Sequence, residues 1–328
     1  MTSSSSSRPG EFEIIAQLFA PLATDPGAYG LRDDVALLAP PAGQDLVLKT
    51  DAIVEGVHFF AADPADLVAQ KALRVNVSDL AAKGATPTGY LLSLSIPQQT
   101  SMPWLTAFAE GLARDQKAWG ISLLGGDTTA TPGPVTISIS MIGTVPRGEA
   151  IRRAGARPGD LVFVTGTIGD AGGGLEILRG GGAQLSDDAR TFLISSYRCP
   201  SPSPEFGARL RGIASASLDV SDGLMADLGH VAEVSDVRIV VDSAQVPLSE
   251  ALEKLWGKGV VQRAVVAGDD YQIAFTAPQS SRNAIFAAAR YCGVRVSEIG
   301  RVEQGSGTGL LDRAGNLISL SEAGYTHF

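Results

Sequence analysis

Between Asp63 and Gly84 the sequence spells one long helix with both ends marked. Asp63 offers an oxygen to the unpaired N–H groups of a first turn, and Pro64 suits that turn because its missing N–H is not needed there. Gly84 accepts the left-handed conformation that ends a helix. The flanking text is different in kind. Residues 35–38, 46–50, 89–96, 121–124 and 135–144 are short apolar runs of strand length, with helical patterns at 11–19 and 102–119. Helices that alternate with strands must bury an apolar stripe against a sheet, which predicts an α/β architecture.

Residues 145–160 turn to Pro, Gly and basic residues and end in Arg157-Pro158-Gly159-Asp160, so a domain boundary is expected there. This gives a Ser-rich tail over 1–10, a domain over 11–148 and a second α/β domain over 149–328. The second half reads as strand 161–165, a glycine-rich turn, a helix ending near Gly180, strand 215–220, helix 224–234, strand 237–241, a helix over 281–291 and a closing strand pair. At 328 residues with 45% hydrophobic content, each half can bury its own core.

A net charge of −9 argues against a nucleic-acid partner, because phosphate backbones are held by clustered Lys and Arg. No apolar run is long enough to span a bilayer, and the N-terminus lacks the apolar core of a signal peptide. Cys199 and Cys292 are the only cysteines and have no metal-ligand spacing, which fits a reducing, cytoplasmic setting.

Aspartates recur where strands end or turns begin: Asp33 and Asp34, Asp51, Asp79 within the long helix, Asp127 after Gly125-Gly126, then Asp219, Asp222, Asp269 and Asp270. Any one alone reads as a turn residue or cap. Together they mark the rim of an α/β sheet, where ligands bind. Convergent carboxylates repel, so a shared site demands cations, and all-oxygen ligation suits Mg²⁺ rather than zinc. Bridging metals would let an acidic protein hold a polyphosphate. The phosphate loop Gly-x-x-x-x-Gly-Lys-Ser/Thr and the protein-kinase signatures are absent. The turn Thr165-Gly166-Thr167-Ile168-Gly169-Asp170 reads either as a phosphate cradle ahead of a helix or as a structural turn.

Seven motifs, in order, resemble those of thiamine-monophosphate kinases. They are Gly30-Leu31-Arg32-Asp33-Asp34, Thr50-Asp51 followed by Val54-Glu55-Gly56-Val57-His58-Phe59, Asn76-Val77-Ser78-Asp79-Leu80-Ala81-Ala82, Leu124-Gly125-Gly126-Asp127-Thr128, Asp219-Val220-Ser221-Asp222-Gly223-Leu224, Gly268-Asp269-Asp270-Tyr271 and Gly324-Tyr325-Thr326-His327-Phe328. The resemblance runs from Gly10 onward. It implies the fold of aminoimidazole-ribonucleotide synthetase, with an N-terminal domain that pairs in a homodimer, and an enzyme that moves the γ-phosphate of ATP onto thiamine monophosphate. It further implies several Mg²⁺ ions on Asp34, Thr50, Asp51, Asp79, Asp127, Asp219 and Asp222, with Asp51, Asp79 and Asp127 central to catalysis. By the same resemblance ATP meets Gly126, Asp127, Arg153 and Ser221, and the thiamine moiety meets His58, Asp269 and Tyr325.

The sequence departs from the family pattern at Arg32, where glycine is usual, at Lys49, where a small hydroxyl residue is usual, and at Asp269, where glutamate is common. Other ATP-using enzymes of the same fold are the nearest alternatives. A selenophosphate synthetase would carry a reactive Cys or selenocysteine with Lys in its N-terminal segment, and the hydrogenase-maturation dehydratase would end in a reactive cysteine. Neither feature is present. A non-catalytic nucleotide or metal sensor is the alternative from another class.

Overall fold

Strict alternation along the sequence builds the first sheet. The elements of this half are α1 (Glu11–Ile14), β1 (Gln44–Val54), α2 (Ala65–Ala82), β2 (Thr86–Pro97), α3 (Met102–Trp119), β3 (Ser122–Thr131) and β4 (Thr136–Pro146), and in β4 Ile137, Ile139 and Met141 are buried while Ser138 and Ser140 face the other way. The strand order is β1-β4-β2-β3, with β2 and β3 parallel. The computed structural model describes residues 9–320, 324 and 325. It divides into two units, one holding the residues up to 76 with 87–144, the other holding 77–86 with 145 onward.

In the first unit the helices pack closely because one residue has no side chain: a Cβ on Gly111 of α3 would lie 2.2 Å from the carbonyl oxygen of Asp66 at the start of α2. The same two helices are joined by a buried ionic contact. Asp115 accepts from Arg74 Nε and Nη2, both at 2.8 Å, and from Gln70 at 2.7 Å. One face of this sheet is not covered by the unit's own helices. Leu46 and Leu48 of β1 are 41% and 71% exposed, and Leu91 of β2 is 41% exposed.

The second unit carries β5 (Asp160–Thr165), α4 (Asp170–Leu178), α5 (Asp187–Arg198), α6 (Pro204–Arg209), β6 (Ala216–Asp219), α7 (Leu224–Ser235), β7 (Arg238–Asp242), α8 (Glu250–Trp256), α9 (Val260–Ala264), β8 (Ile273–Pro278), α10 (Arg282–Cys292), β9 (Val296–Glu303), β10 (Gly307–Leu311) and β11 (Leu317–Ile318). Its sheet runs β11-β10-β7-β9-β5-β8-β6 and is mostly antiparallel, with β7 and β10 parallel. Phe163 and Phe275 stack at 5.2 Å in its core, where Phe206 and Leu210 are also buried.

The end of the long helix forms as expected. Gly84 has φ 69°, and the N–H groups of Gly84 and Ala85 bond the carbonyls of Ala81 and Leu80 at 3.0 and 2.9 Å. The expected strand at 35–38 does not form. Val35 and Leu37 are 61% and 63% exposed, and the stretch is followed by Pro40-Pro41, which cannot donate to a ladder. The N-terminal helical pattern is shorter as an α-helix than expected: α1 gives way to a π-helical turn over Ile15–Phe19 and a 3-10 turn over Ala20–Leu22. The greater part of the expected tail over 1–10 and the last motif residues Thr326-His327-Phe328 lie outside the described residues. Among the described residues no helix is long and apolar enough to cross a membrane.

Candidate active site

The sequence Asp219-Val220-Ser221-Asp222-Gly223 leaves the end of β6 and enters α7, and its shape is set by a residue one turn later. Asp227 Oδ2 accepts the N–H groups of Ser221, Asp222 and Gly223 at 3.0, 3.0 and 3.2 Å. Burial pushes the Asp227 carboxyl up to about 7, the three N–H bonds work against that rise, and the neighbouring Asp222 carboxylate adds to it. Asp219 is buried, while Asp222 and Ser221 are half-buried. Asp222, Asp227 and His230 form a group whose ligand atoms all lie within 4.8 Å of one another. Arg153 is exposed, and its carbonyl accepts the Ser235 hydroxyl at 3.5 Å; next to it, Arg152 O accepts Ser217 N–H at 2.9 Å along the β6 edge.

Two more motif segments of the same unit meet this loop through the main chain. Val220 O accepts Tyr271 N–H at 2.7 Å, Ser221 O accepts Asp269 N–H at 2.8 Å and Asp222 O accepts Tyr325 N–H at 2.9 Å. The Ser78 hydroxyl, beside Asp79 on the last turns of α2, donates to Tyr271 O at 3.3 Å. So Asp79, Asp219, Ser221, Asp222, Asp269 and Tyr325 gather in the second unit. Asp269 and Tyr271 have φ of 70° and 50°, a region that non-glycine residues seldom enter. Tyr325 is 51% exposed.

Between those two residues Asp270 turns inward. It is buried and accepts Gly169 N–H at 2.6 Å and Ala171 N–H at 3.3 Å, at the start of α4. Asp170 accepts the hydroxyls of Thr167 and Ser249. Burial raises both carboxyls, Asp270 well above the usual range, with the Asp170 and Asp269 carboxylates adding to the rise. These contacts decide the nature of the glycine-rich turn over 165–170. Three of its N–H groups are already engaged, Gly166 by Arg295 O and Ile168 by Pro247 O, both at 2.9 Å, and Gly169 by Asp270. It is a structural turn rather than an open phosphate cradle.

In the first unit, strand alternation sends the neighbours Thr50 and Asp51 to opposite faces of β1. Thr50 Oγ1 accepts the Ser140 hydroxyl at 3.1 Å, whereas Asp51 shares its face with Lys49, whose ammonium is 3.1 Å away. Asp127 and Gly126 lie on β3, level with Ser93 and Leu92 of β2, so the two central strands of the sheet separate them from Asp51 on β1. Gly126 is required there, since a Cβ would lie 1.9 Å from Leu92 O. Asp34 is exposed, in the loop that follows a 3-10 segment, and its N–H bonds the Asp33 carboxylate at 2.7 Å. His58 Nδ1 accepts Val54 N–H at 3.0 Å, which assigns its proton to Nε2, and His58 O accepts the ammonium of the buried Lys71 at 2.9 Å.

The reading of the residues alone missed Asp227 and gave Asp270 no role. The signal was present for the first: an acid in the opening turn of a helix, just after a Ser-Asp-Gly turn rich in unpaired N–H groups.

Comparison with known proteins places this arrangement. The family model for the N-terminal domain of AIR synthase related proteins matches residues 32–145, and that for the C-terminal domain matches residues 157–313, which defines the class. The thiamine-monophosphate kinase of Caulobacter vibrioides is 42% identical over 325 residues, covering 97% of this chain and 91% of that relative. The crystal structure of thiamine-monophosphate kinase from Stenotrophomonas maltophilia matches with a TM-score of 0.80 and 39% identity, over 85% of this chain and 89% of that one. A structure of AaThiL complexed with AMPPCP and TMP matches with a TM-score of 0.78 and 33% identity, over 90% and 91%. The chain belongs to the thiamine-monophosphate kinase family.

The buried Asp270 gives a pH signature. Its folded-state value lies above its unfolded one, so the unfolded chain loses this proton first and stability falls as pH rises through the interval between the two. Asp270→Asn keeps an oxygen for Gly169 and removes the titration. Thermal unfolding of both proteins from about pH 4 to about pH 7 should show the difference moving in the variant's favour as pH rises. A difference that does not change with pH would refute this role of Asp270.

Proposed function

We propose that this chain transfers the γ-phosphate of ATP to thiamine monophosphate, giving thiamine diphosphate and ADP. The observation that carries this reading is likeness over nearly the whole chain to kinases of that name, one of them solved with the ATP analogue AMPPCP and TMP. The acceptor is itself a phosphate whose second pKa is near ~6, so its attacking oxygen is deprotonated at neutral pH. A general base has nothing to remove. In keeping with this, the Nδ1 lone pair of His58 is occupied by a backbone N–H, and we assign the residue to holding the thiamine moiety.

The donors proposed for the metal are all hard oxygens, which suits Mg²⁺. In the first unit these are Asp34, Asp51 and Asp127, with Thr50 offering its main-chain carbonyl because its side chain faces away from that of Asp51. In the second they are Asp79, Asp219 and Asp222. Mg²⁺ held there supplies neutralisation of the nucleotide and acceptor phosphates. Gly126, Asp127, Ser221 and the forked guanidinium of Arg153 are assigned to ATP. Asp269, one methylene shorter than the usual glutamate, and the aromatic face of Tyr325 are assigned with His58 to the thiamine moiety. Lys49 and Arg32 add positive charge beside Asp51 and Asp34, which supports phosphate binding there.

We further propose that the uncovered sheet face bearing Leu46, Leu48 and Leu91 pairs with a second copy of the chain. Sedimentation equilibrium should give a dimer, and Leu48→Asp should shift it toward monomer; a monomeric wild type would remove this proposal.

The function is tested by incubating the protein with ATP, Mg²⁺ and thiamine monophosphate. Thiamine diphosphate and ADP should form in equal amounts, and a chiral γ-thiophosphate should transfer with inversion. No thiamine diphosphate would overturn the reading, and retention of configuration would replace direct transfer with a phosphoenzyme.

A further inference from the structure

Asp227 belongs to none of the ligand sets proposed above, yet much of the second unit's motif geometry passes through it. Its Oδ2 draws in the N–H groups of Ser221, Asp222 and Gly223. The carbonyls of Val220, Ser221 and Asp222 in turn accept the N–H groups of Tyr271, Asp269 and Tyr325. The approach is close on both sides. A Cβ on Gly268 would lie 2.6 Å from Ser221 O, and one on Gly324 would lie 2.7 Å from Asp222 O. Asp269 and Tyr271 hold left-handed backbone conformations, which persist only where the surroundings fix them. The surface that fixes them is the 220–222 main chain.

We propose that Asp227 is a positioning residue for both substrates: by gathering three successive N–H groups it sets the loop that carries Ser221 and Asp222 toward the nucleotide, and the same loop holds the backbone of Asp269 and Tyr325 for the thiamine moiety. The proposal rests on the kinase reading above. The alternative is a purely structural carboxylate that favours the first turn of α7. The two differ in what they do to substrate binding. A structural loss lowers stability and leaves the folded molecules normal, whereas a loss of positioning changes the affinity of molecules that remain folded.

The test compares wild type with Asp227→Asn, which keeps the volume and one acceptor oxygen but removes the charge. Circular dichroism and melting temperature establish that the variant is folded at the assay temperature. In assays at about pH 8, where the Asp227 carboxyl is mostly ionised, hydrogen bonds to a charged acceptor are the interactions at stake, so KM for Mg-ATP and KM for thiamine monophosphate should each rise at least about tenfold. Calorimetric titration with Mg²⁺ and a non-hydrolysable ATP analogue should show the same loss of affinity without turnover. Unchanged KM values in a folded but less stable variant would overturn the proposal, as would a rise for one substrate only. Should Asp227→Asn fail to fold, Asp227→Glu keeps the charge and displaces the loop by one methylene; it should show both KM increases in smaller degree, and wild-type values for it would be equally fatal. If wild type makes no thiamine diphosphate, the kinase reading fails, and the nucleotide titration still decides whether Asp227 shapes the loop for a ligand.

Discussion

Carboxylates crowd one region of the second unit, and their mutual repulsion is the constraint that its local architecture answers. Asp227, Asp270 and Asp170 are engaged at the starts of helices. Asp227 takes the N–H groups of residues 221–223, Asp270 takes those of Gly169 and Ala171, and Asp170 takes two hydroxyls. Each is buried, and burial raises each of their carboxyls. These acids do not wait for a ligand; they tie loops to helix starts, where backbone N–H groups and the helix dipole favour negative charge. The acids proposed as ligands, Asp79, Asp219, Asp222 and Asp269, are held on the framework that the first set creates.

This division explains how a short strand and three turns build a precise site. β6 ends at Asp219, the loop is closed by Asp227, and the strained turn over 268–271 is held between the loop on one side and α4 on the other. Glycine appears where main chains must touch, at Gly268 against Ser221 O and at Gly324 against Asp222 O. The acidic motifs are thus two systems interleaved in one sequence, and neighbouring residues serve different ones. Asp269 is half-buried and accepts the Tyr271 hydroxyl at 3.2 Å, whereas the next residue, Asp270, is buried and turned to the start of α4.

How much of this was legible in the sequence follows from the range of the interactions. The α/β class and the end of the long helix at Gly84 were readable, because alternation and capping are local. The strand expected at 35–38 was not there, because a run of apolar residues specifies a strand only when a neighbour supplies the ladder. The opposite faces of Thr50 and Asp51 could have been read from the period of a strand, yet motif matching treats adjacent residues as one unit. The structural nature of the turn over 165–170 was beyond reach, since its N–H groups are taken by residues as distant in sequence as Pro247, Asp270 and Arg295. Asp227 lay in between: its position at the head of α7 was visible, but that it closes the preceding loop is a fact of geometry.

The central claim is that the acids assigned as ligands receive phosphates only together with divalent cations. Its most direct test is the melting temperature of the wild-type protein with a non-hydrolysable ATP analogue, measured in Mg²⁺ and again in EDTA. Only a ligand that prefers the native state raises the transition, and a bare triphosphate is repelled by carboxylates. A clear rise with Mg²⁺ and nucleotide together, and little with nucleotide in EDTA, is the result the account requires; equal shifts with and without the metal would contradict it.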